Sequence, residues 1–367
     1  MDVANISRPV QNLPTLGIIV PCYNEEEVLP ETNSRLVLLM QKMREESLIS
    51  EKSAIFYVDD GSRDRTWGLI EDLSRQFTNV CGIKLSVNRG HQNALLCGYL
   101  TAPGDMLISV DADLQDDLTV IPSMVDCYRH GCEIVYGVRK RRSTDTFFKR
   151  ITAEGYYKLM LIMGVDIVFN HADYRLLSRR AIDSLSEYNE VNLFLRGIVR
   201  LLGYKCSIVE YDRAERFAGE SKYPLRKMLS FAWQGITCFS SAPLRMVTTI
   251  GVAVSIISVA MSLWAFGVSL LSDQALPGWA STVIPMYFLG GVQLMCLGVI
   301  GEYVAKIYLE SKRRPRFHID ALKGNAFEGF ENSCYFNMHN LAQYTRKFGG
   351  CADVPELSSP WRSTGRS

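Results

Sequence analysis

Two long runs without a charge constrain this chain most. Met246 to Leu271 covers 26 residues, and Gln274 to Gly301 forms a second run. A helix needs about 20 apolar residues to cross a bilayer, so each run is long enough. Basic residues flank the pair: Arg226, Lys227 and Arg245 before it, and Lys306, Lys312, Arg313, Arg314 and Arg316 after it. The connection Ser272-Asp273-Gln274-Ala275-Leu276-Pro277-Gly278 carries no Lys or Arg. The positive-inside rule then places both flanks in the cytoplasm and the connection outside. Gly290, Gly291, Gly298 and Gly301 suit close helix packing. The competing reading is a pair of helices buried in a soluble core.

The rest of the chain is of a different kind. It has 367 residues in all, enough for one large domain or two smaller ones. The formal net charge is +1, so there is no basic field of the kind a nucleic-acid binder carries. The hydrophobic share is 47% and the mean hydropathy +0.03, with the excess concentrated in the two runs. Ten cysteines stand as singletons without a C-x-x-C pair, which fits a reducing compartment and no thiolate metal centre. Met1 to Leu13 is polar and lacks an apolar signal-peptide core, so the first domain is expected in the cytoplasm.

Short apolar runs alternate with helical patterns from Thr15 to Gly137. Strands are expected at Thr15–Val20, Ala54–Val58, Val80–Ser86, Met106–Val110 and Glu133–Gly137. Helices are expected from the Glu25-Glu26 acids to about Glu46, after Asp64, after Asn93 and over Leu118–His130. This alternation predicts an α/β fold, a mostly parallel sheet with helices on both faces. Polar clusters follow each strand and would gather along one edge. The chain has no G-x-G-x-x-G after the first strand and no G-x-x-x-x-G-K-[ST] anywhere, which disfavours a dinucleotide-binding or P-loop protein.

The sharpest cluster is Asp111-Ala112-Asp113-Leu114-Gln115, directly after a strand. Ligands of open α/β sheets bind outside the carboxyl ends of strands. Carboxylates suit a hard divalent ion shared with substrate phosphates, so Asp-x-Asp here suggests a metal-diphosphate site. Asp113 would touch the metal, with Gln115 nearby, and Asp111 would share the metal or face a nucleotide. The bland alternative is a solvated acidic turn. Asp59 and Asp60 could accept hydrogen bonds from a base or ribose. Arg139, Arg216 and Lys222 would bind phosphates, the last two in a Gly219-containing loop with Ser221.

Between the sheet and the runs, Phe147 to Met163 puts aromatics and Lys149, Arg150 and Lys158 at roughly helical spacing. It reads as an interfacial or a core-facing helix. Asn170 to Arg175 interrupts an apolar stretch with polar residues, Ala181 to Leu202 looks helical, and Pro224 to Arg245 looks like a juxtamembrane amphipathic helix. The chain from Phe317 to Ser367 is mixed and is expected to be cytoplasmic and partly disordered.

Several motifs stand in one order: Pro21-Cys22-Tyr23-Asn24-Glu25, Asp59-Asp60-Gly61-Ser62-x-Asp64-x-Thr66, Asn88-Arg89-Gly90-x-x-Asn93-Ala94, Asp111-Ala112-Asp113-Leu114-Gln115 and Arg216-x-x-Gly219-x-Ser221-Lys222. Together they resemble the family 2 inverting glycosyltransferases of GT-A type, closest to the polyprenyl-phosphate subgroup of bactoprenol glucosyltransferases and dolichol-phosphate mannosyltransferases. The resemblance runs from about Leu16 to Arg314. It implies nucleotide-sugar binding by Pro21, Tyr23, Glu25, Asp59, Asp60, Asp111 and Ala112, and a donor-metal motif of Asp111, Asp113 and Gln115. It also implies phosphate binding by Arg139, Arg216, Ser221 and Lys222. Asp173 matches the aspartate taken as the base in the bactoprenol subgroup. A phosphate monoester has its second pKa near ~6, so little proton is left to remove, and Asp173 can equally serve to orient a substrate.

The expected reaction is transfer of one hexose, glucose from UDP-glucose, to undecaprenyl phosphate with Mg2+ or Mn2+, for O-antigen or cell-envelope modification. A dolichol-phosphate-mannose-type synthase using GDP-mannose and a processive polysaccharide synthase are the alternatives. The expected organisation is a GT-A catalytic domain over 1–223, a juxtamembrane helix over 224–245, a two-helix hairpin over 246–309 and a tail over 310–367. The protein would be multi-pass in the inner (cytoplasmic) membrane, with the catalytic domain and both termini cytoplasmic. The implied partners are a UDP-hexose, a polyprenyl phosphate, the membrane and further copies of the chain, but no nucleic acid.

Overall fold

The structure is a computed structural model that describes residues 13–139, 171–191, 193–212, 240–271 and 279–327. Its centre is an eight-stranded sheet in the order β7-β5-β6-β4-β1-β2-β3-β8. The strands are β1 (Leu16–Cys22), β2 (Ala54–Asp59), β3 (Val80–Leu85), β4 (Met106–Ser109), β5 (Ile134–Arg139), β6 (His171–Ser178), β7 (Cys206–Tyr211) and β8 (Ile319–Lys323). β1 pairs in parallel with β2 and β4, β2 with β3, and β5 with β7. β6 runs antiparallel between β4 and β5, and β8 antiparallel along β3.

Alternation along β1 explains the layering. Successive side chains of a strand point to opposite faces. Leu16, Ile18 and Val20 pack on one face with Leu29, Leu36, Met40 and Met43 of α1 (Leu29–Glu45), Ile70 of α2 (Thr66–Gln76) and Met124 of α4 (Ile121–Arg129). Ile19 packs on the other with Leu95, Leu96 and Tyr99 of α3 (His91–Thr101), Ile182 of α5 (Arg179–Ser186) and Ile198 of α6 (Leu195–Leu201). Gly98 is needed for that approach, because a Cβ there would stand 2.3 Å from the Ile19 side chain. The chain steps from β1 outward to β2 and β3, then returns to place β4 on the other side of β1. That reversal is a topological switch point, where open sheets leave a crevice.

Four expectations change. The acids at Glu25 and Glu26 form a turn, and α1 begins at Leu29 with Pro30 in its first turn, a position where the missing N–H costs nothing. The expected single helix over 181–202 is two, α5 and α6, separated by an irregular segment whose backbone is held from outside. The polar residues His171 to Arg175 lie in a strand: His171–Ser178 is β6, and Tyr174 and Arg175 are buried, while Asn170 lies outside the described residues. The expected tail returns to the sheet. Arg313 adopts φ 46° and Pro315 follows, which ends the preceding helix sharply, and β8 then covers the open edge of β3 with Phe317 and Phe327 buried.

Two helices lie outside the sheet, α7 (Ala242–Leu271) and α8 (Trp279–Lys312). They are in contact with each other, and the Tyr303 hydroxyl donates to the Ser240 carbonyl at 2.6 Å. The start of α7 therefore lies beside the last third of α8, as in an antiparallel pair. Phe288–Lys312 is long and apolar enough to cross a membrane, and it is the one such stretch among the described residues. Phe288, Leu294, Leu297 and Ile307 on it are exposed, an apolar surface that water disfavours. The Phe147–Met163 segment, the loop with Arg216, Ser221 and Lys222, residues 224–239, the 272–278 connection and the chain after Phe327 lie outside the described residues.

Candidate active site

The polar clusters meet at the carboxyl edge of β1, β2 and β4. Two of their loops are stitched together by side chains. Asn24, at φ 55°, accepts the Arg63 N–H at 2.9 Å, while its own N–H bonds Ser62 Oγ at 3.0 Å. Glu25 N–H bonds Thr66 Oγ1 at 2.9 Å, and Glu26 accepts the Arg65 N–H at 2.9 Å. Asp64 accepts the Thr66 N–H at 3.1 Å, at the first residue of α2. Pro21 is buried within β1 and Tyr23 is exposed above it.

The adjacent carboxylates Asp59 and Asp60 have different surroundings. Asp60 accepts the Arg89 and Gly90 N–H groups at 2.7 and 2.8 Å, so both oxygens shape the loop before α3. Asp59 is fully buried, receives the Ser62 N–H on one oxygen at 3.2 Å, and keeps its second oxygen, Oδ2, without a partner. Burial raises both pKa values above the carboxylate norm, and hydrogen bonds from Ser62, or from Arg89 and Gly90, work against it. Gly61, at φ 67°, makes the turn between these loops; a Cβ there would lie 2.7 Å from the Asn88 nitrogen.

The Asp111–Gln115 turn is held from below. Thr32 on α1 donates to the Ala112 carbonyl at 2.8 Å, and Asp113 accepts the Gln115 N–H at 3.2 Å. Leu114 sits at φ 57°, a left-handed conformation uncommon for a non-glycine residue. Asp111 is crowded by carboxylates. Its own carboxyl is pushed up to about 6, chiefly by burial; His91 opposes this, and Asp116, Asp173 and Asp113 add to it. Gln115 and Asp116 are buried beside them. Arg139, at the end of β5, points back into the protein: its Nε donates to Tyr211 Oη at 3.2 Å and its Nη2 stands 3.8 Å from Asp116, which accepts the Tyr211 hydroxyl at 2.5 Å.

Strand register delivers Asp173. Ser109 of β4 pairs with Arg175 of β6, and the strands are antiparallel. Two residues forward on one and two back on the other bring Asp111 and Asp173 to the same end. Asp173 is bonded by Arg175 and by both Nε and Nη2 of Arg196, at 3.1 and 3.0 Å. Burial would raise its pKa, but Arg196, His91 and Arg175 together hold it well below the usual carboxylate range. His91, the first residue of α3, places Nε2 3.7 Å from Asp111 and 3.6 Å from Asp173. Its burial lowers its pKa, while Asp173 and Asp111 outweigh that and raise it.

The site thus unites Asp111, Asp113, Gln115 and Asp173, with Asp59 buried at the end of neighbouring β2. His91, Asp116 and Arg196 were not anticipated. His91 stood at a variable position of the Asn88–Ala94 motif, the one signal that could have found it. Arg196 lies 23 residues from Asp173 and had no local signal.

This strand-edge acidic site belongs to a sugar-transferring class. The glycosyl transferase family 2 model matches residues 17–186. The chain is 52% identical over 312 residues to the uncharacterized glycosyltransferase YkoT of Bacillus subtilis (strain 168), covering 84% of this chain and 92% of that one. The chain belongs to glycosyl transferase family 2. It is also 37% identical to the prophage bactoprenol glucosyl transferase homolog of Escherichia coli (strain K12), over 84% of this chain and 99% of that one. The bactoprenol glucosyl transferase of Shigella phage SfX is 38% identical with the same coverage of both chains, 84% and 99%.

Proposed function

We propose that this protein is a membrane-bound inverting glycosyltransferase that moves one glucose from UDP-glucose to undecaprenyl phosphate. The observation that carries the reading is the β4–β6 register, which brings Asp111 and Asp173 to the same end of the sheet, in a chain alike over most of its length to bactoprenol glucosyl transferases. The bond from the sugar C1 to the UDP oxygen breaks, and a bond from C1 to a lipid-phosphate oxygen forms on the opposite face.

Asp111 and Asp113 would hold a divalent cation, Mg2+ or Mn2+, with Gln115 beside them, and the ion would neutralise charge on the leaving diphosphate. The donors are hard carboxylate oxygens, the chemistry such an ion takes; among the described residues no three His, Cys, Asp or Glu groups stand together to hold an ion alone, so substrate phosphate oxygens would complete its shell. Asp59 Oδ2, buried without a partner, would accept an N–H of the base, with Pro21, Tyr23, Glu25 and Ala112 around the nucleotide. Asp60 supports the site through the Arg89–Gly90 backbone. Asp173 is a poor proton acceptor in its arginine clamp, and its role is to orient the acceptor beside Asp111. Arg139 serves the phosphates only if it exchanges its Asp116 and Tyr211 partners, whereas Arg216, Ser221 and Lys222 would supply phosphate contacts directly. α7 and α8 would cross the inner membrane as a hairpin, the sheet staying on the cytoplasmic side where UDP-sugar is found.

The test is label transfer from UDP-glucose, UDP-galactose or GDP-mannose to undecaprenyl phosphate in detergent with Mg2+. Lipid-soluble label from UDP-glucose, lost in Asp113→Ala, is the expected result. Long polymer, or label from GDP-mannose alone, would refute the reading.

A further inference from the structure

The end of α8 does more than leave the membrane. Lys312, Arg313 and Arg314 are exposed, as a basic flank should be, but Arg316 is turned inward and donates to the Tyr188 carbonyl. One turn before the helix ends, the Glu310 carboxylate accepts the Val191 N–H at 2.8 Å. Both partners are backbone atoms of the irregular segment between α5 and α6. These two bonds hold the Tyr188 and Val191 backbone from outside the segment. Glu190 lies among the same charges: burial and Glu310 raise its pKa, and Arg316 opposes them.

The segment leads straight to the site. Its last residues, Leu193 and Phe194, are buried, and α6 starts at Leu195. The Leu195 N–H bonds Gln92 Oε1 at 3.0 Å, and its carbonyl accepts from Arg175 at 3.3 Å. The next residue is Arg196, which grips both oxygens of Asp173. A short run of chain, from Tyr188 to Arg196, therefore links the backbone partners of Glu310 and Arg316 to the arginine that grips Asp173, across more than a hundred residues of sequence.

We propose that Glu310 and Arg316 are positioning residues for the transfer: through the Tyr188–Val191 backbone they set the height of α6, and so the placement of Arg196 and Asp173, relative to the apolar helix α8. This rests on the reaction proposed above, in which the acceptor is a lipid and Asp173 orients it. A site that must meet a phosphate at a membrane surface needs a fixed distance between its acceptor-side groups and the membrane helix, and effective molarity falls steeply when reacting groups are displaced by about 1 Å.

The experiment uses the full-length protein in detergent, with Glu310→Ala, Glu310→Gln, Arg316→Ala and Arg316→Lys. Amide hydrogen exchange over 187–196 is read together with transfer kinetics. The alanine variants should exchange about tenfold faster at Val191 and Leu195 and lose about tenfold in transfer rate with undecaprenyl phosphate. Their KM for UDP-glucose should stay within about twofold. Glu310→Gln keeps an acceptor oxygen and Arg316→Lys keeps a donor, so both should recover most of the rate. Unchanged exchange in the alanine variants, or a rise in the KM for UDP-glucose as large as the loss in rate, overturns the proposal. If Glu310→Ala does not fold, failure of Glu310→Gln to recover parental exchange and rate overturns it as well. If the parent transfers sugar to no lipid phosphate, the proposed reaction fails on its own, and the exchange data still decide whether the two residues hold the segment.

Discussion

Asp111 and Asp173 approach the same nitrogen of His91, in differently charged surroundings. Around Asp111 stand Asp113, Asp116 and Asp173, with His91 as the near positive group, and its proton is held up to about 6. Around Asp173 stand Arg175 and Arg196 as well as His91, and its carboxyl is held well below the norm. The first carboxylate has more negative than positive neighbours, with His91 and Arg139 as its positive ones, while two arginines grip the second. The proposed function gives the Asp111 side, the poorer in positive charge, the role of receiving a cation, and the clamped Asp173 that of orienting the acceptor.

The largest expected effect tests the Asp111 side. Asp111→Asn or Asp113→Ala should lower transfer by about 10²–10³-fold, the usual loss when one group stabilising developing charge is removed, with initial rates as the readout. Chelation of divalent ions should abolish transfer and Mg2+ or Mn2+ should restore it; the thermal stabilisation given by UDP plus metal should shrink in Asp111→Asn. Activity that survives exhaustive chelation would break the comparison.

The Asp173 side should respond differently. Asp173→Asn keeps shape but leaves two arginines facing a neutral amide. Transfer should fall more than about tenfold while UDP-glucose binding, read by calorimetry, stays near parental. Arg196→Ala should cost about 1–2 kcal/mol of stability, because Arg175 and His91 still compensate the carboxylate; thermal unfolding in detergent would show it. The smallest effect is expected from Thr32→Val, which deletes the bond to the Ala112 carbonyl. It should cost about 1 kcal/mol and a few-fold in rate, with a weaker metal response.

The same contrast marks what could be read early. Strands β1 to β5 were legible because each is a short apolar run closed by a polar cluster, and the burial that makes them strands is written in the residues themselves. β6 was not, because His171 to Arg175 is polar by composition; Arg175 is buried only because Asp173 and the Leu195 carbonyl receive it. β7 alternates between exposed and half-buried positions at the sheet edge, and β8 carries Asp320 and Lys323, so neither reads as a strand without its partner. Arg139 was read as a phosphate ligand from its place after β5, and only the fold shows Asp116 and Tyr211 occupying it.

By itself, then, the sequence determined the alternating α/β order, the acidic turn at Asp111–Gln115 and two apolar runs that separate cleanly from the sheet, since periodicity, strand-end chemistry and hydropathy are local properties. Tertiary structure alone decided that Asp173 comes to the same end as Asp111, that Arg196 and His91 close on it, that Asp60 shapes a loop while Asp59 keeps a buried oxygen unpaired, and that Glu310 and Arg316 reach back to the segment before α6. Those outcomes depend on antiparallel register and on hydrogen bonds between residues 20 to more than 100 apart, and no local pattern encodes which distant partner a charge will find.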